Sequence, residues 1–288
     1  MADARVSVVV LTHDRPVELA RTLSQLERLP EQPPLFVVDN ASRPGSVEAV
    51  VRRHRVDELL RCEQNRGAAG RNAGVARVRT PYVAFCDDDT WWAPGALARA
   101  ADLLDAHRGV AALSARVLVG DDERLDPACE RMARSPLDST GLPGPALIAF
   151  MAGAVVMRCS AYRAVGGYEP RLFLGAEERL MALDFAMRGW RIVYADEVVT
   201  HHHPSPSRDP TARRIAQARN LLWIAWMRLP LASAWRESRR ILREAAQQGL
   251  LAPALREALA GLPWALRHRR VLPPRVQEMV RKVFTEKS

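Results

Sequence analysis

Phe85-Cys86-Asp87-Asp88-Asp89-Thr90-Trp91-Trp92 is the stretch around which the chain is organised. The apolar run Tyr82 to Phe85 reads as a buried strand. Three successive carboxylates at its end cannot be buried uncompensated, because desolvating ionised groups costs more than a fold can spare. They need a cation. A hard divalent ion takes carboxylate oxygens and offers its other positions to phosphates. The same residues taken alone also suit an acidic surface turn, since Asp is a common turn former.

Upstream, Arg5 to Leu11 is an almost continuous β-branched run, as in a strand buried on both faces. It ends in Thr12-His13-Asp14-Arg15-Pro16, after which Leu19, Leu23, Leu26 and Leu29 recur at helical spacing. A second apolar run, Leu35 to Val38, ends in Asp39-Asn40-Ala41-Ser42, and a helix is expected over Ser46 to Arg55. This alternation predicts βαβ units and a parallel sheet, whose ligands bind at the carboxyl ends of the strands. Gln64 to Gly74 is glycine-rich, but its spacing is neither the dinucleotide fingerprint nor a P-loop. Its small residues let a helix pack close to the strands; an ordinary loop reads the same way.

Downstream of the aspartates the pattern predicts a helix over Pro94 to Asp105, a strand over Val110 to Val119 and an irregular stretch over Gly120 to Pro145. Leu147 to Met157 is apolar, and Gly153 in it marks close approach of a ligand or backbone. Phe173 to Glu178 opens what reads as an amphipathic helix through Arg188, ended by Gly189. Glu177 and Glu178 sit at its N-terminus, where the helix dipole favours acids in any case. A short strand, Trp190 to Tyr194, leads towards His201-His202-His203, plausible metal ligands or plain surface histidines.

Pro204 to Pro210 reads as a linker between a domain over 1–203 and a helical segment over 211–288. The charge divides at the same place. Through Pro210 there are 26 basic and 28 acidic residues, whereas beyond it there are 16 and 5. The net charge of +9 therefore resides in the tail, which points to an anionic surface. Helices there, over Thr211 to Met227, Leu231 to Gln248, Ala252 to Leu259 and Pro274 to Val283, carry tryptophans flanked by arginines. Such faces suit a membrane interface, or packing on the first domain or on a second copy in a homodimer. Zinc patterns and RNA-binding signatures are lacking, so nucleic acid is not expected. Four widely spaced cysteines fit a reducing cytosol. No signal segment precedes the first strand, and no apolar run is long enough to span a bilayer, so any membrane contact is expected to be peripheral, at the inner face.

From Val6 to about His203 the chain resembles family 2 glycosyltransferases, inverting enzymes of the GT-A fold. The motifs occur in the family's order: Val8 to Arg15, Val37 to Ser42, Asn65-Arg66-Gly67 with Gly70 to Gly74, Phe85 to Asp89, Gly166 to Glu169, Glu177-Glu178 and His201-His202. The resemblance implies an α/β fold with a Rossmann-like, mostly parallel central sheet, flanking helices and a C-terminal helical segment. It implies that Thr12, His13, Asp14, Arg15, Asp39, Asn65, Gly67, Arg71, Asn72, Asp87 and Asp88 hold a UDP-, dTDP- or GDP-linked sugar. Asp87 and Asp89 correspond to the family's DxD pair, and His202 to its metal-binding histidine. With Asp87, Asp89 and His202 would hold Mg2+ or Mn2+. Glu178 corresponds to the catalytic base, and Trp91, Trp92, Gly153 and Glu177 are candidates for the acceptor side. The family's usual acid two residues beyond the base is Leu180 here, and its usual Arg six beyond is Asp184.

Ala218-Arg219-Asn220 followed by Leu221-Leu222-Trp223 resembles bacterial enzymes that build cell-surface polysaccharides, rhamnosyltransferases among them. This implies a lipid-linked or oligosaccharide acceptor. A soluble small-molecule acceptor, as for a tailoring enzyme, stays open, as does an inactive binding protein of the same fold. Nucleotidylyl transfer would want a basic glycine-rich loop after the first strand, and Thr12 to Pro16 contains no glycine.

Overall fold

The computed structural model describes residues 5–204 and 210–284; most of the expected linker lies outside them. The first half alternates strand and helix: β1 (Val6–Thr12), α1 (Pro16–Leu26), β2 (Leu35–Asp39), α2 (Ser46–Val51), β3 (Glu58–Arg61), a 3-10 turn (Gly67–Gly70) running into α3 (Arg71–Arg77), and β4 (Tyr82–Asp87). Then come β5 (Thr90–Trp92), α4 (Ala96–Ala106), β6 (Val110–Val119), β7 (Arg124–Leu125), α5 (Pro127–Ala133), β8 (Ala146–Leu147), β9 (Ala154–Arg158) and α6 (Cys159–Val165). A 3-10 turn (Pro170–Leu172), α7 (Glu177–Met187) and β10 (Arg191–His202) complete the sheet region, and α8 (Pro210–Arg228), α9 (Leu231–Gln247), α10 (Leu251–Arg267) and α11 (Pro274–Phe284) follow.

The strands form one sheet ordered β3-β2-β1-β4-β9-β6-β10-β5, with β7 and β8 on β6 and β10. The pairs β3/β2, β2/β1, β1/β4 and β6/β10 are parallel, as the βαβ reading requires. Val8, Val9 and Val10 are wholly buried, as the unbroken β-branched run demands. The helix α3 lies close on this half: a Cβ added at Gly74 would stand 2.5 Å from Val9 Cγ1. Strand β9 is antiparallel to both neighbours, β4 and β6. Nothing in an apolar run states its direction, so the sequence could not announce it.

Three sequence expectations are corrected. The strand expected over 190–194 continues to His202, because residues 196–198 bulge out between Ala195 and Val199 and the pairing with β6 resumes beyond them. The helix expected over 252–259 runs on through Pro263 to Arg267. Helix α7 is not amphipathic. Met181, Ala182 and Phe185 join the main core, while Leu180, Leu183 and Ala186 join a second core with Trp223, Ile224, Met227, Trp264, Leu272 and Val276. Apolar residues on two sides of a helix need cover on both, and the C-terminal helices cover the outer side of α7.

That packing accounts for the two departures beyond Glu178. Leu180 belongs to the second core. Asp184 accepts two hydrogen bonds from the Arg228 guanidinium of α8, at 2.7 and 3.0 Å, fastening the C-terminal helices to α7. Arg228 is buried and would be left without this counter-charge if Asp184 were truncated. Asp184→Ala is expected to lower stability by about 3 kcal/mol, read from the urea midpoint at constant slope; an unchanged midpoint would show that the pair contributes nothing.

Candidate active site

The three aspartates are held in three different ways. Asp88 turns inward: its carboxylate accepts from Thr12 Oγ1 at 3.0 Å and from Arg15 at 2.6 Å, and its carbonyl accepts from Thr22 Oγ1 at 2.8 Å. The same Arg15 nitrogen donates to Asp89 Oδ2 at 3.0 Å, so one guanidinium bridges two buried carboxylates. Burial is the main force pushing Asp88 up to about 7; Arg15 opposes it and the neighbouring aspartates add to it. Thr12, Arg15 and Asp88, expected at the nucleotide, are thus bonded to one another.

Asp87 faces outward and pairs with the buried Arg71, whose guanidinium also lies over the Phe85 and Tyr168 rings. Gly153 makes room for it. A Cβ there would stand 2.7 Å from Asp87 Oδ2. Thr90 Oγ1 ties the two together, accepting from the Asp87 amide at 2.8 Å and donating to the Gly153 carbonyl at 3.0 Å.

Strand alternation sorts the histidines. On β10, His202 pairs with Thr90 and His201 with Trp91 of the antiparallel β5. His202 and Thr90 line the same cavity, with His202 Nε2 3.7 Å from Asp89 Oδ1. His201 and His203 stack with Trp91 instead, and pair with Glu123 and Asp121. Trp91 is therefore engaged away from the candidate acceptor side, and Trp92 is buried in the main core; neither lines the cavity as expected.

Among the described residues no group of three or more His, Cys, Asp or Glu side chains could hold a metal ion. The expected trio of Asp87, Asp89 and His202 is not assembled as one set. The Asp89–His202 pair still suits Mg2+ or Mn2+, because such ions take one or two protein ligands and complete their shell with water and substrate phosphates.

Other residues expected at the nucleotide also make bonds within the protein. Asp39 is wholly buried, accepting from the Ser42 amide at 2.8 Å and from Arg61 at 2.7 Å. Asp14 accepts from the Arg43 amide at 2.8 Å, and that bond is the main reason its carboxyl lies below the usual range. Asn65 caps the Gly67 amide at 2.9 Å, and Gly67 packs against Phe173. Asn72 faces away from the cavity: its oxygen accepts from Tyr162 and from the Tyr168 amide, while its nitrogen donates to the Tyr168 carbonyl. His13 is exposed.

The glutamates arrive from the opposite side. Glu177 is buried, with Oε2 lacking a hydrogen-bond partner, whereas Glu178 lines the cavity. Burial raises the carboxyl pKa of both, and each also feels nearby negative charge. The cavity, about 490 Å3, has Asp87, Gly153 and His202 on the sheet side and Glu178 on the α7 side. Among its other lining residues, Arg213, Gln217 and Leu221 of α8 are ones to which the motifs do not point. Their i, i+4, i+8 spacing on a helix was the signal available.

Residues 7–166 match the family model described as "Glycosyl transferase family 2". The chain is 28% identical over 226 residues to the pre-mycofactocin glycosyltransferase of Mycobacterium tuberculosis, covering 73% of this chain and 45% of that protein. It thus spans about half the length of that relative. It is 24% identical over 268 residues to the N-acetylglucosaminyl-diphospho-decaprenol L-rhamnosyltransferase of the same organism, covering 78% of this chain and 87% of the relative. Among solved structures, the mannosyltransferase PcManGT from Pyrobaculum calidifontis, in complex with GDP-Man and Mn2+, shares the fold with a TM-score of 0.57 at 20% identity, covering 99% of this chain and 88% of that one. The sheet order and flanking helices are those of a GT-A-like fold, and the chain belongs to glycosyl transferase family 2.

Proposed function

We propose that the protein is a metal-dependent inverting glycosyltransferase that moves a sugar from a nucleoside-diphosphate sugar to an acceptor hydroxyl. The observation that carries this reading is the single cavity with Asp87 and His202 on one wall and Glu178 on another. An acceptor between them meets a carboxylate on one side and the donor on the other. Glu178 takes the proton of the acceptor hydroxyl as its oxygen bonds to the anomeric carbon. The bond from that carbon to the diphosphate breaks in the same displacement, so configuration inverts. Burial suits Glu178 to this work, because a raised pKa brings a general base nearer to neutral pH. Asp89 and His202 would hold Mg2+ or Mn2+, which when bound stabilises charge on the departing diphosphate.

The rhamnosyltransferase relative supports a lipid-linked glycan acceptor, and the pre-mycofactocin relative supports an acceptor of another kind. No helix among the described residues is long and apolar enough to cross a membrane. Peripheral contact with an anionic bilayer is supported by exposed Leu231 and Trp235 on α9 and Leu251, Leu255 and Leu259 on α10, within the arginine-rich segment.

Glu178→Gln is expected to cut transfer at least about 100-fold while nucleoside-diphosphate affinity stays the same; normal turnover in this variant would remove Glu178 from the mechanism. In a thermal-shift measurement His202→Ala should abolish the Mn2+-dependent part of the stabilisation produced by a nucleoside diphosphate, and an undiminished shift would place the metal elsewhere. For the membrane reading, the full chain carrying Trp235→Ser and Leu259→Ser is expected to lose co-sedimentation with phosphatidylglycerol vesicles. Equal binding by wild type and variant would sink that reading.

A further inference from the structure

The segment that delivers Glu177 and Glu178 is held in a backbone conformation that needs outside support. Phe173 and Ala176 have φ of 59° and 67°, and Gly175 has 92°. Non-glycine residues enter this region at a cost, since Cβ crowds the backbone, and they stay there only where the surroundings over-determine them. Helix α7 starts immediately afterwards with no side-chain cap. Its first two residues are the glutamates.

Two clamps grip this segment from opposite sides. On the sheet side the Ala68 amide donates to the Phe173 carbonyl at 2.8 Å, and Gly67 lies so close that a Cβ would stand 2.1 Å from the same oxygen. On the other side is Asn220 of α8, wholly buried. Its amide nitrogen lies 2.7 Å from the Leu172 carbonyl, 3.1 Å from that of Leu174 and 2.6 Å from that of Gly175. Its oxygen accepts from Arg219 Nε at 3.0 Å, which fixes which end of the carboxamide faces the segment. Arg219 also donates to the Leu172 carbonyl at 3.1 Å and to Glu257 of α10 at 3.1 Å. One buried side chain thus gathers three carbonyls within four residues, all just before the candidate base.

We propose that Asn220 is a positioning residue of the transfer reaction: from the C-terminal helices it holds residues 172–176 so that Glu178 faces the cavity. This rests on the glycosyl-transfer reading. It also gives the C-terminal segment a part in catalysis, independent of any membrane contact.

The test is Asn220→Asp in the full chain, which keeps the shape but sets a carboxylate oxygen against carbonyls that now receive donors. The expected result is a fall in kcat of about 10- to 100-fold, the scale of a base displaced by about 1 Å. Donor KM and nucleoside-diphosphate affinity should stay within about twofold, and amide exchange should quicken at 173–178 while β1 and β4 stay protected. Wild-type kcat with unchanged exchange would overturn the proposal, as would equal losses in kcat, nucleotide affinity and protection of β1. If Asn220→Asp does not fold, the partly exposed Arg219→Lys takes its place; a several-fold fall in kcat with local exchange at 173–178 supports the clamp, and no change in either overturns it. If the wild type releases no nucleoside diphosphate from any donor, the transfer reading fails instead, and with it the catalytic part of the proposal.

Discussion

The structure depends on how it buries negative charge at the end of β4. Asp88 and Asp89 are almost wholly enclosed, and the Arg15 guanidinium lies between them. Removing two carboxylates from water is affordable only with such a partner and with further donors, which Thr12 supplies to Asp88. Arg15 stands at the start of α1, and Thr22 within it bonds the Asp88 carbonyl. The first helix is thereby fixed against the acidic turn, and the acidic turn against the first strand. Asp87 is then free to face the cavity, and Asp89 to face His202.

The other half of the cavity comes from the far end of the chain. Helix α7 carries the glutamates but cannot be buried by the sheet alone, because its apolar residues point both ways. The C-terminal helices cover its second side. Asp184 and Arg228 fasten them there, and Asn220 and Arg219 grip the segment before the glutamates from the same helix. The basic tail shares a core with the sheet region, one of the packings that its sequence leaves open, and lends Arg213 and Gln217 to the cavity wall.

Much of the fold was legible because buried parallel strands and their helices leave simple periodicities. The apolar runs at 5–11, 35–38, 82–85 and 110–119 appear as the strands Val6–Thr12, Leu35–Asp39, Tyr82–Asp87 and Val110–Val119. The direction of β9 was not legible, nor was the continuation of β10 past its bulge, because both are settled by pairing with distant strands. Within the site, the family resemblance pointed to Asp89, His202 and Glu178, which line or adjoin one cavity. It could not separate side chains that face the cavity from those that support it. Thr12, Arg15, Asp39, Asn72 and Asp88 sit where motif order suggests a ligand, and each also bonds another part of the protein.

What the sequence determined by itself was the principal strands β1, β2, β4 and β6 with the helices after them, the placing of polar residues at strand ends, and the family that the motifs resemble. Each is a local property of hydrophobic spacing or of residue type, so each survives without coordinates. Tertiary structure decided which of three adjacent aspartates and three adjacent histidines face the cavity, and that helix α8 holds the segment before the glutamates through Asn220. Those outcomes depend on strand pairing and on packing between residues far apart in the chain, where a one-residue change of register turns a ligand into a core side chain.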